Sequence, residues 1–129
     1  SIEKTLEILS PFSGAREHIK TALKMLSDRE NPDYRNSIKE SISAVEAIVN
    51  LINGTDSDTL GKALQKEKFA LHGSLKDAFV EMYGYTSDAE GIRHFMLEES
   101  SIEFVDAKYM LVSCSAFVNY LMQKFYTIN

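Results

Sequence analysis

A single cysteine, Cys114, leaves no internal disulfide to form, and three histidines fall short of most metal cages. Neither a disulfide-stapled secreted fold nor a zinc module is therefore expected, and a reducing, cytoplasmic setting fits best. Two prolines and six glycines are too few for a fibrous or linker-rich chain, while 44% hydrophobic and 26% charged residues suit one compact domain over residues 1–129. No apolar leader-like segment is visible, and the first residue is Ser1 rather than methionine, the mark of a processed chain or of a piece of a longer protein. Positive charge is also scarce. Fourteen Lys and Arg against nineteen Asp and Glu give a formal net charge of -5, which excludes coating nucleic acid through bulk charge, so any RNA contact has to be local.

The deficit is not spread evenly. Acids and bases balance through Lys76, and residues 77–129 then hold eight acids against three bases. Between Glu81 and Asp106, Arg93 is the only fixed cation, with His94 beside it. Just upstream the bias reverses: Lys62, Lys66, Lys68 and Lys76 are relieved within that stretch only by Glu67. Solvated helix surface accounts for both runs; a local anion site is the functional alternative.

Hydrophobic spacing predicts helices throughout, with no strand-like alternation and no repeat. Ile2, Leu6 and Leu9 mark a short helix that stops before Pro11. Ser13 is placed to cap a second helix with Ile19, Leu23 and Leu26 as its buried stripe, and Asn31-Pro32 reads as cap and first residue of a third. Ile38, Ile42, Val45, Val49 and Ile52 alternate steps of four and three in that third helix, and Gly54 stands where a left-handed end is common. Asp58 can cap a short helix carrying Leu60, Ala63 and Leu64. Leu71, Leu75, Phe79 and Met82 mark another that ends near Gly84, followed by a turn-rich stretch from Tyr83 to Gly91. Ser100 or Ser101 then caps the last helix, with Glu103 near the third position of a capping box.

That last helix is apolar almost all round, from Phe104 through Phe125, so other helices, a second subunit or lipid must cover it. Its uncharged run from Tyr109 to Met122 is shorter than the roughly 20 residues a bilayer needs and contains Ser113, Ser115 and Asn119, which sets lipid aside. The expected fold is an all-α bundle of about five helices with a buried, largely apolar C-terminal helix.

Chemistry-bearing patterns are few. No glycine-spaced phosphate loop precedes a lysine, and His18, His72 and His94 are not paired at one-turn spacing, so neither a cofactor nor a metal is expected. Cys114 reads as an inert core thiol and His18 as a surface or boundary residue. Two constellations remain. Arg35, Asn36, Lys39, Ser43 and Glu46 form a polar stripe beside the apolar seam of the third helix, where Glu46 sits among apolar neighbours and needs a partner such as Arg or His if buried. Gly91-Ile92-Arg93-His94 supplies a phosphate-binding fork next to a group that moves protons near neutral pH, the minimal parts for metal-free RNA cleavage. Pairing of Arg93 with Asp88 or Glu90 is the plain alternative.

Tyr34-Arg35-Asn36-Ser37-Ile38-Lys39-Glu40, Ser43 to Ala47, Thr59 to Leu64, Tyr83 to Asp88, Gly91 to His94, Asp106-Ala107-Lys108 and Leu111 to Phe117 resemble the abortive-infection AbiJ-like domains of bacteria, relatives of the HEPN superfamily. The resemblance covers roughly Asp33 to Leu121. It implies a helical bundle, frequently a homodimer, in phage-defence or toxin–antitoxin proteins, many of them metal-independent RNases. In that superfamily the active pair is an Arg and a His separated by four to six residues near the start of the last long helix. Arg93 matches by placement, Glu98, Glu99 and Ser100 stand where the His is due, and His94 is the nearby substitute. Catalytic roles are thus expected at Arg93 and His94, and RNA contacts at Arg35, Asn36, Lys62, Lys66 and Lys68. The rival expectation is a non-catalytic dimerisation or regulatory module whose effector or antitoxin partner carries the activity.

Overall fold

The computed structural model describes residues 12–55, 60–64, 71, 73–87 and 102–126. Over those residues the chain is the all-α bundle expected, with five helices and no strand: α1 (Ser13–Ser27), α2 (Tyr34–Asn53), α3 (Leu60–Leu64), α4 (Gly73–Ser87) and α5 (Phe104–Phe125). The helix expected at Ile2–Leu9 lies outside the described residues.

α1 and α2 form an antiparallel hairpin whose crossing is built from short side chains. Ala22, Ser37, Ser41 and Ala44 are fully buried there. The Ser37 hydroxyl donates to the Ala22 carbonyl at 2.7 Å and the Ser41 hydroxyl to the Ser37 carbonyl at 3.0 Å, so two buried polar groups are satisfied as the backbones approach. This close crossing corrects the expected stripe of α1. Ala15, Ala22 and Leu26 are buried, whereas Leu23 is 53% exposed, because a long side chain at the crossing would hold the helices apart. Ser13 is also the first helical residue rather than a cap; Phe12 precedes it without a side-chain capping bond.

The connection after α1 is fixed by two aspartates. Asp28 accepts from the backbone N–H groups of Glu30 and Asn31 at 3.0 and 2.9 Å, and these bonds hold its carboxyl below the usual range. Asp33, not Asn31, caps α2: its carboxylate accepts from the Asn36 N–H at 3.1 Å, and its own N–H donates to the Met25 carbonyl at 3.0 Å. Asn31 lies two residues before the cap, in the turn that the Asp28 carboxylate closes.

Ile38, Ile42, Val45 and Val49 of α2 are buried as their spacing predicts. α2 ends at Gly54, whose φ of 69° is the left-handed conformation that glycine adopts without strain. The buried Asn53 side chain donates to the Ala63 carbonyl at 2.8 Å and pins α3 to this end of α2.

α5 packs along α2. Tyr34 meets Phe104 edge-to-face at 6.2 Å and Phe12 meets Tyr126 at 4.8 Å, so α5 runs parallel to α2 and antiparallel to α1. Glu103 caps it: the Glu103 carboxylate accepts from the N–H of Asp106, and the Asp106 carboxylate accepts from the Glu103 N–H at 2.8 Å. The expected caps, Ser100 and Ser101, lie outside the described residues; the acidic pair satisfies these donors and adds negative charge at the positive end of the helix. α4 leans on α5 through Phe79, stacked on Phe117 with ring centres 3.6 Å apart. It continues to Ser87, past the expected end, since one glycine costs a helix only about 1 kcal/mol.

Candidate functional site

α5 is apolar on both sides, yet only one side is buried. Ala107, Met110, Leu111, Cys114, Phe117, Val118, Leu121 and Met122 enter the core. On the opposite face Val105, Tyr109 and Val112 are 62%, 63% and 58% exposed, and Tyr120 continues the line at 40%. With Ala116 these residues recur at steps of four, three, four and four, one uncharged stripe over most of a helix about 33 Å long. Beside the stripe runs a groove of about 490 Å³ between α4 and α5, bordered by Leu75, Phe79, Met82, Tyr109, Ala116 and Tyr120. It opens because the helices touch through the Phe79–Phe117 rings instead of meshing backbone to backbone.

A second cleft, of about 420 Å³, lies between α1 and α5. Arg16 and Lys20 border it on α1, Ser115 and Asn119 on α5, with Ile19, Val118 and Met122 completing its wall.

Of the residues expected to contact RNA, the three described, Arg35, Asn36 and Lys62, do not come together. Arg35 is half-buried in the first turn of α2 and Asn36 is exposed beside it, where its amide donates to Asp33 at 2.8 Å and so serves the helix cap. Lys62 is exposed on α3, which docks at the far end of α2, about 27 Å away by helical rise. Arg93, His94, Lys66 and Lys68 lie outside the described residues. Among the described residues no three potential metal-ligating side chains cluster.

Glu46 is half-buried, and burial pushes its carboxyl above the usual range while the His18 charge pulls the other way. His18 itself bridges the hairpin: its Nδ1 lies 2.5 Å from Glu40 Oε2. His18 is thus a boundary residue as its sequence position indicates, but its carboxylate partner stands 22 positions away, and only the α1–α2 crossing reveals it. Because the folded state favours protonated Glu46, ionisation disfavours folding once the pH rises past the ordinary value of 4.5. Glu46→Gln is therefore expected to raise the melting temperature at pH 7 and to lose that advantage below about pH 4, where the unfolded chain is protonated as well. Thermal melts of both proteins at the two pH values check this.

Cys114 is buried, and burial pushes its thiol up to about 12, so it is a packed apolar side chain and not a nucleophile.

No family model, curated protein or solved structure matches this chain. The functional reading consequently rests on its own surfaces. The apolar residues of α5 are legible in the sequence, but the side that stays uncovered and the two clefts are not, because each cleft is made by helices distant in sequence.

Proposed function

We propose that this chain is the helical module of an AbiJ-like, HEPN-type abortive-infection protein of the bacterial cytoplasm, and that it works by pairing two copies through the outer face of α5 while an associated effector or antitoxin domain carries the activity. The observation that supports this reading is the stripe Val105–Tyr109–Val112–Ala116–Tyr120, uncharged and more than half exposed at its first three positions. Exposed apolar patches of this kind mark interaction sites.

The stripe is self-complementary under a two-fold axis through its centre near Val112. An antiparallel copy sets Val105 against Tyr120 and large Tyr109 against small Ala116, with Val112 close to its own equivalent. The same arrangement opposes the two helix dipoles and carries Lys124, one turn beyond Tyr120, toward the acidic Glu103 end of the other copy. The absence of a histidine at the HEPN spacing after Arg93, and the separation of Arg35 and Asn36 from Lys62, both weigh toward pairing and against catalysis.

A cysteine at the axis tests the geometry. In Val112→Cys the new thiol is exposed while Cys114 stays buried, and pairing about this axis is expected to bring the two Cα atoms within the roughly 4.4–6.8 Å that a disulfide spans. Mild oxidation is expected to convert most of the protein to a covalent dimer on non-reducing gels, and Leu23→Cys, on exposed α1, is expected to cross-link far less.

RNA cleavage by Arg93 and His94 is the second reading, favoured by that lone cation–imidazole pair in a glycine-bounded acidic stretch. Metal-free protein incubated with a mixed RNA pool is expected to leave it intact. Cleavage lost in both Arg93→Ala and His94→Ala, with folding retained, would establish the second reading instead.

A further inference from the structure

We infer that the cleft between α1 and α5 is a binding site for a small organic anion with an apolar body, a phosphate monoester or a carboxylate. It opens on the flank of α5 that faces α1, next to the pairing stripe, with Val118 and Met122 on its core side.

Four polar side chains converge on this cleft from two helices. Arg16 and Lys20 are one turn apart on α1, and Ser115 and Asn119 are one turn apart on α5. All four can donate hydrogen bonds, two of them carry fixed positive charge, and among the described residues no acid lines the cleft. In a chain of net charge -5 such a concentration of donors and cations is local and not a consequence of composition. Lys20 shares its charge with Glu17 at 3.6 Å, a strongly exposed pair that contributes little, whereas Arg16 has no ion-pair partner among the described residues. Its planar fork matches two oxygens of a carboxylate or phosphate.

The apolar body follows from size and lining. A volume of about 420 Å³ falls in the range of small-molecule sites, about 300–1,000 Å³, and far exceeds what a bare phosphate fills. Val118 and Met122 supply apolar wall below the polar rim, and methionine adapts to irregular or aromatic shapes.

Calorimetric titration of the purified protein with four probes tests this: phenyl phosphate and phenylacetate as complete ligands, inorganic phosphate as head alone, and benzyl alcohol as body alone. At least one aromatic anion is expected to saturate and to bind at least about tenfold tighter than either fragment. Preference for phenyl phosphate identifies a phosphate monoester site, and preference for phenylacetate a carboxylate site. Arg16→Ala, an exposed change that keeps helix propensity, is expected to weaken binding about tenfold or more by removing charge-assisted hydrogen bonds. Asn119→Ala is expected to weaken it less, and Lys24→Ala, a cation of α1 outside the cleft, to leave it unchanged. Failure of both aromatic anions to saturate, binding no tighter than inorganic phosphate, or affinity unaltered in Arg16→Ala would each overturn the proposal.

Discussion

Leu121→Ala is expected to cost about 2–5 kcal/mol of stability, the usual range for truncating a fully buried leucine. Leu121 is 0% exposed in the stripe of α5 that faces α2, so its removal forfeits buried apolar area and leaves a cavity that two packed helices cannot easily close. Leu23→Ala is the informative companion. Sequence spacing places Leu23 in the seam of α1, but it stands 53% exposed, and its truncation is expected to change stability by no more than about 0.5 kcal/mol. Urea unfolding followed by far-ultraviolet circular dichroism, at one fixed protein concentration because pairing adds to apparent stability, separates the two. Equal losses at both positions would mean that α1 is rotated about its axis from the orientation described.

Val112→Glu is expected to weaken self-association by more than about a hundredfold while leaving the fold of each copy intact. Val112 is 58% exposed in the single chain, so a carboxylate there is hydrated when the chain is alone. In the pair, two such carboxylates meet near the axis, lose their water and repel; an uncompensated buried charge costs about 3–5 kcal/mol. Leu23→Glu adds the same charge on exposed α1 and is expected to leave association unchanged. Size-exclusion chromatography with light scattering, alongside circular dichroism to confirm helix content, reads both effects.

Much of the fold is written in local pattern. The alternating steps from Ile38 to Val49 and the glycine at position 54 specify α2 because a helical period and a left-handed end are both local properties. Capping is less legible, because several residues compete for the same backbone donors. Asp33 offers a carboxylate to the Asn36 N–H where Asn31 belongs to the Asp28 turn, and the Glu103–Asp106 pair forms the capping box of α5. The face of α1 is ambiguous for a different reason. Hydropathy ranks Leu23 above Ala22, whereas the close crossing with Ser37 and Ser41 requires the smaller residue, and that crossing depends on the partner helix.

The surfaces follow the same logic. An all-apolar α5 announces that something must cover it, but which side the bundle leaves open depends on where α2 and α4 pack. Arg16 with Lys20, and Ser115 with Asn119, each look like ordinary surface in one dimension; the antiparallel run of α1 beside α5 brings them to one cleft. His18 and Glu40 are joined by the same kind of long-range register.

Pairing of two copies through α5 is read by sedimentation equilibrium of the unmodified protein from about one to one hundred micromolar. The mass is expected to approach twice the 14.6 kDa of the chain at the upper end and to fall to the single-chain value at every concentration in Val112→Glu. A single-chain mass throughout the range for the unmodified protein, or a dimer that survives Val112→Glu unchanged, would contradict it.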